Sequence, residues 1–247
     1  MIHDGLWDVY NDVHMGNTGE SVSLEHDISR ESADAFASRS QQRAADAEKN
    51  GWFDWESFPV PLPNGEELTY DEGVREGTTT EGLGELKSAF IAEGRVTAGN
   101  ASTLSDGASA VLVVEANFAR QQGWEIIAII EDYCTSGLAP VQVMSAPIPA
   151  VKMLLERNSL SVEKVDVFEH NEAFAAASCA VAKKVGIPDE KFNLHGGAVA
   201  LGHPLGSSGS RCLITMLGVM RRVEATNGIV TLCLGGGNAV AMLVKRA

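Results

Sequence analysis

Hydrophobic and polar residues are arranged differently on the two sides of residue 105. Upstream, Ser-Arg-Glu-Ser-Ala-Asp-Ala-Phe-Ala (29–37) opens with a serine cap signal and continues as an alanine-rich, charge-studded amphipathic helix, predicted to end at Gly51. The Gly-Trp-Phe-Asp-Trp-Glu-Ser-Phe-Pro-Val-Pro-Leu-Pro-Asn-Gly segment (51–65) carries three prolines and an Asn-Gly turn signal. It reads as extended and irregular, with Trp52 and Trp55 as anchors.

Downstream, short continuous apolar runs appear at Ser109–Glu115 and Glu125–Glu131, the pattern of buried strands. A helix is expected over Pro149–Asn158, a strand over Lys164–Phe168, and a helix over Glu172–Val185 ended by Gly186 and Pro188. Another helix follows over Leu205–Val223, then two strands, Gly228–Leu234 and Asn238–Lys245, joined across glycines. This order predicts an α/β fold: a mostly parallel sheet covered by helices, with a final antiparallel hairpin and a helical, irregular region in front.

At 247 residues and 45% hydrophobic, the chain can bury one large core or two moderate ones without a stabilising staple. The formal net charge is −14, and residues 1–100 hold 20 acids against 7 bases. That balance argues against nucleic acid and anionic membranes as partners. The start has no basic or apolar leader pattern and no run long enough to span a bilayer, so a cytoplasmic protein is expected. The cysteines at 134, 179, 212 and 233 form no CxxC pair, which argues against metal ligation and a disulfide framework.

Three polar clusters stand at strand or helix edges, where α/β sheets place ligands. They are Glu169-His170-Asn171-Glu172-Ala173-Phe174, the glycine-rich stretch from His195 to Gly209, and Cys233-Leu234-Gly235-Gly236-Gly237-Asn238. An amide can orient a water or a carbonyl, glycines let backbone approach a ligand, and the loop lacks the lysine of a phosphate-gripping P-loop. Singly, each has an ordinary explanation: a helix cap for Asn171, a turn histidine for His203, a core cysteine for Cys233.

Together and in this order, Asn-Glu-Ala-Phe, Gly-Gly-Ala-x-x-x-Gly-His-Pro-x-Gly-x-Ser-Gly and Cys-x-Gly-Gly-Gly resemble the thiolase family. The resemblance implies a thiolase-like fold: a coenzyme-contacting loop domain over residues 1–104, the end of an N-terminal-type half with an orphaned strand over 105–123, and a C-terminal domain over 124–247. It implies acyl transfer, either Claisen condensation of two acetyl-CoA or thiolytic cleavage of acetoacetyl-CoA or another 3-ketoacyl-CoA. Cys233 matches the cysteine that moves the α-proton, His203 the histidine that activates the nucleophile and donates to the thioester oxygen. Asn171 matches the amide holding the oxyanion water, and the Gly235 N–H an acyl-enzyme oxyanion donor. His14, Met15, Arg75, Phe90, Ser102, Met144 and Phe174 match positions lining the pantetheine channel or touching the coenzyme. Coenzyme A thioesters are substrates, and no cofactor or metal is implied. The family is usually oligomeric, so a homo-oligomer, dimer or tetramer, is expected.

The chain departs from the family in one important respect. The N-terminal region, more than a third of the family's length, and its nucleophilic cysteine are expected to be absent from it. Its sheet partners would then be missing from Ser109–Glu115, leaving an apolar face exposed and calling for a chain that supplies the missing half. Alternatives are a noncatalytic CoA- or acyl-CoA-binding module and an inactive thiolase fragment. The acidity of residues 1–100 also opposes simple attraction of a polyanionic coenzyme.

Overall fold

The computed structural model describes residues 1–247 in full. Five helices and one sheet carry the architecture. In chain order they are α1 (Met15–Glu25), α2 (Arg30–Lys49), β1 (Ala128–Gly137), α3 (Pro147–Arg157), β2 (Val167–His170), α4 (Ala175–Val185), α5 (Ser208–Arg222), β3 (Asn227–Leu234) and β4 (Asn238–Arg246). Residues 52–115 contribute short turns, a five-residue helix at Thr80–Gly84 and a two-residue pairing of Val60–Pro61 with Glu67–Leu68. No helix is long and apolar enough to cross a membrane.

Helix α2 starts where Ser29 Oγ accepts the Ser32 amide at 3.1 Å, and the chain leaves it through Gly51 at φ +66°. Its inward positions, Ala33, Phe36, Ala37, Ser40, Ala44 and Ala47, recur at three- and four-residue steps and are buried. Mostly alanine, that stripe lets α2 lie close against α4. Buried Asp34 is held by Arg30 Nε at 2.6 Å and Asn100 Nδ2 at 2.7 Å, and Arg30 also donates to the Leu83 and Leu86 carbonyls. These bonds fasten the irregular segment from 83 to 100 to the helix.

The sheet has the order β1-β4-β3-β2. β1, β2 and β3 run the same way, but β4 lies between β1 and β3 and opposes both, so only β2/β3 is a parallel ladder. The parallel character expected from the element order therefore holds for direction and not for most pairings. The cause is the tight glycine turn after β3, which returns β4 alongside it. Helices cover both faces. α3 and α4 pack on one with Phe168, Ile229, Ala239, Ala241 and Leu243, in a core of 32 buried residues that extends to α1 and α2. α5 covers part of the other, where the buried cluster has 8 members, among them Val167, Cys212, Met216 and Val244.

That asymmetry leaves the second face partly open. The strand predicted at Ser109–Glu115 does not form: residues 102–115 run without sheet pairing, Leu112 78% and Val113 64% exposed. An apolar run becomes a strand only beside another strand, and this chain offers none there. Ala116–Gln121 then forms a short helix, and Val111, Val113, Trp124, Ile127, Leu217 and Val244 border an apolar trough of about 640 Å³. The exposed face expected from the sequence is present. β1 also begins at Ala128 rather than Glu125 and extends to Gly137, because it follows β4 along its whole length. As an edge strand with one covered face it accommodates Glu131 and Asp132. β2 is displaced in the same sense, starting at Val167.

Candidate active site

The three polar clusters converge at the carboxyl end of the parallel β2/β3 pair. Register pairs His170 with Thr231, and the Asn171 amide donates to the Thr231 carbonyl at 3.1 Å, so Asn171 and Cys233 leave the sheet at the same end. The chain from Asn100 to Thr103 crosses this end. Ser102 gives both its amide and its hydroxyl to the Ala173 carbonyl, at 3.1 and 3.0 Å, and the His203 amide donates to the Thr103 carbonyl at 3.1 Å.

Asn171 is fully buried. It does not cap the following helix: α4 begins after Phe174, with no side-chain cap bond. Its Nδ2 lies 3.3 Å from His203 Nε2, and its Oδ1 lies 3.9 Å from Cys212 Sγ. Half-buried His203 has Nδ1 2.5 Å from Ser208 Oγ. Burial, with Arg211 adding to it, pushes the imidazole down to about 4, so it is neutral near pH 7. A neutral ring is suited to taking a proton.

Cys233 is half-buried on β3, its Sγ 3.8 Å from Met144 Sδ. Burial pushes the thiol up to about 11, against a smaller opposing effect of its own backbone amide. At that value the free sulfur is mostly a thiol near pH 7. Gly235 lies exposed in the turn into β4, with Gly236 and Gly237 at φ +80° and +88°.

Several channel candidates meet beside Asn171. His14 Nδ1 accepts the Gly16 amide at 3.0 Å and caps α1, and its ring stacks on Phe90 at 5.0 Å. Phe90 meets the Phe174 ring edge-on at 6.4 Å, while Met15 and Met144 pack into the main core. A Cβ on Gly16 would sit 2.2 Å from the Phe90 ring, so only glycine leaves room for that stack. Arg75 is exposed and apart from this group. Its amide donates to Gln41 Oε1 at 2.7 Å, and Gln41 also reaches the Val199 carbonyl at 3.3 Å, which pins the Arg75 turn beside the glycine loop.

The glycine loop is built around the buried side chains of Glu172 and His195, to which the motifs assign no role. Glu172 accepts from Ser40 Oγ at 2.6 Å, Asn193 Nδ2 at 2.8 Å and the Val199 amide at 3.1 Å. A Cβ on Gly197 would stand 2.4 Å from its carboxyl carbon. His195 Nε2 accepts from Arg222 Nε at 2.8 Å, Trp52 stacks on its ring, and Arg222 lies 4.1 Å above the Trp52 ring. Trp52 thus serves as the anchor read from the sequence. Composition gives no sign of these partners, which are brought together from distant segments.

Burial and Arg222 lower His195 from the usual 6.5 to about 4. Between those values the unfolded chain holds a proton on this ring that the folded chain does not, so the contribution of His195 to stability falls as pH drops through that window. Replacing His195 with Asn should make the pH dependence of unfolding free energy shallower by about one proton across it. Urea titrations at several pH values would show this. Parallel curves for the two proteins would refute it.

Known proteins match along the whole chain. The model of the thiolase N-terminal domain matches residues 1–117, and that of the thiolase C-terminal domain matches 124–246. An acetyl-CoA acetyltransferase of Pseudomonas aeruginosa is 46% identical over 250 residues, covering 100% of this chain and 64% of the relative. A probable acetyl-CoA acyltransferase of Staphylococcus aureus is 45% identical, with 100% and 63% covered. Human mitochondrial 3-ketoacyl-CoA thiolase, solved with CoA, superposes with a TM-score of 0.94 at 36% identity, over 98% of this chain and 61% of that one. The acetyl-CoA acetyltransferase of Bacillus anthracis gives the same score and identity over 98% and 62%. The chain thus spans a little under two thirds of the length of these proteins. Two adjoining family matches and a shared fold place it, and the chain belongs to the thiolase family.

Proposed function

We propose that this chain carries the coenzyme-facing and proton-transferring part of a short-chain thiolase, acting on acetyl-CoA and acetoacetyl-CoA. The acyl-accepting cysteine lies in the further length that its relatives possess. In the condensing direction an acyl group passes from a CoA thioester to that cysteine, releasing CoA. Cys233, as thiolate, then removes a proton from the methyl carbon of acetyl-CoA, and the carbanion attacks the acyl-enzyme carbonyl and expels the cysteine thiolate. Thiolysis runs the same steps backwards. His203 takes the proton of the incoming nucleophile, and Asn171 and the Gly235 N–H face the oxygens on which charge develops.

The observation that carries this reading is the contact of buried Asn171 with neutral His203, beside the strand that bears Cys233. Identity of 46% to a named acetyl-CoA acetyltransferase supports the substrate class. One observation favours a second reading, a CoA-binding module without acyl transfer: the Cys233 thiol sits at about 11, too high to supply much thiolate near pH 7.

The test is complementation. The chain is mixed with a polypeptide corresponding to the part of the Pseudomonas relative that it does not match, and CoA-dependent cleavage of acetoacetyl-CoA is followed. Turnover by the mixture and none by either part supports the proposal. A stable complex that binds CoA in calorimetry but cleaves nothing would favour the module.

A further inference from the structure

Five side chains and one carbonyl form a single row through the site. Arg211 Nη2 lies 2.9 Å from Cys212 Sγ, Cys212 Sγ 3.9 Å from Asn171 Oδ1, and Asn171 Nδ2 3.3 Å from His203 Nε2. His203 Nδ1 lies 2.5 Å from Ser208 Oγ, and Ser208 Oγ 3.0 Å from the Pro204 carbonyl oxygen. The two ends are chemically fixed: a guanidinium only donates and a carbonyl only accepts. Every group between them has a proton or amide that could point either way.

The ends decide the direction. With Arg211 donating to Cys212 sulfur, the S–H is free to go to Asn171 Oδ1, which turns the Asn171 NH₂ toward His203 Nε2. That nitrogen must then accept, so the ring proton sits on Nδ1 and is donated to Ser208 Oγ, whose hydroxyl goes on to Pro204. The opposite direction would aim two donors, Arg211 and the Asn171 amide, at Cys212 sulfur. It would also strand the S–H in a fully buried position, where an unmet donor costs free energy.

We infer that Ser208 and Cys212 are positioning residues that lock His203 in the Nδ1–H tautomer, leaving its lone pair on Nε2. His203 borders a cavity of about 540 Å³ formed with Leu104–Ser109 and Pro204–Ser207, where a proton donor can approach. The long Asn171 contact is the one such a donor displaces. On accepting a proton at Nε2 the ring becomes a cation whose Nδ1–H bond to Ser208 strengthens, so base and subsequent acid are the same atom. The use made of Nε2 rests on the acyl-transfer reading above. The tautomer does not.

The test is therefore spectroscopic. In ¹⁵N NMR of the folded, histidine-labelled chain near neutral pH the two ring shifts report which nitrogen carries the proton, and His203 is assigned by loss of its peaks in His203→Gln. The expected result is a protonated Nδ1 and an unprotonated Nε2, opposite to the form that free imidazole side chains favour in water. Ser208→Ala combined with Cys212→Ala, which removes the acceptor at Nδ1 and frees the Asn171 amide to turn, should exchange the two shifts, while Cys212→Ser, which keeps a donor on Asn171, should leave them in place. A wild-type Nε2–H tautomer, or no exchange in the folded double variant, overturns the inference. If the double variant does not fold, the wild-type spectrum decides alone. Turnover is scored separately: an Nδ1–H ring in an inactive complemented protein keeps this assignment and removes the function proposed above.

Discussion

Replacing Glu172 with Ala is expected to lower unfolding free energy by about 3–5 kcal/mol, since three buried neutral donors lose their acceptor at about 1–3 kcal/mol each. Its carboxylate accepts from a hydroxyl of α2, an amide of the Asn193 side chain and the backbone of Val199, and it is fully buried. Burial raises this carboxyl above the ordinary range and the three donors oppose that rise, so the group is costly to bury and is kept in place by what it joins. Alanine would leave three donors without water or partner and open a void beside Gly197. Glutamine keeps one acceptor oxygen and fills the space, while its NH₂ must face either the Asn193 amide, held in place by the His170 backbone, or the Val199 N–H, so its loss should be smaller, about 1–3 kcal/mol. Because domains are stable by only about 5–15 kcal/mol, the difference should be plain in urea midpoints. Equal losses for the two variants would mean that the three hydrogen bonds do not sustain the glycine loop.

His203→Ala in the complemented protein should reduce kcat/KM for acetoacetyl-CoA cleavage by roughly 10³-fold, within the range for a positioned acid or base. Binding of CoA should change little, because His14, Phe90, Phe174 and Met144 form the neighbouring apolar wall independently of this ring. Asn at the same position supplies an N–H but no base, and should recover only a small part of the loss. Steady-state kinetics and calorimetry on the same preparations separate the two quantities. A drop of less than tenfold would place the proton acceptor elsewhere.

Much of this was legible in the residues themselves. Ser29 and Gly51 bracket α2 because a cap and a left-handed exit are local events, settled within a few residues. The glycine run 235–237 likewise announces the β3/β4 turn. Ser109–Glu115 shows the limit, since its apolar run states an affinity for a strand partner and says nothing about whether one is present. At the site, the motifs singled out Asn171, His203 and Cys233, but Cys212 read as an ordinary helical position and Ser208 as one letter of a motif. Helical periodicity tells which way a residue faces and not which atom it meets. The burial of Glu172 was hidden for a related reason: glutamate is nearly always exposed unless paired, and its partners here come from residues 40, 193 and 199.

The placement of β4 at the centre of the sheet also bears on how the molecule is made. β1 leaves the ribosome about a hundred residues before the strand that completes it, and until β4 arrives its edge and that of β3 are both unsatisfied. Assembly of the sheet thus waits until about a hundred further residues have been made, and the closure is long-range and inherently slow. During that interval the nascent chain is a natural client for chaperones that shield bare strand edges.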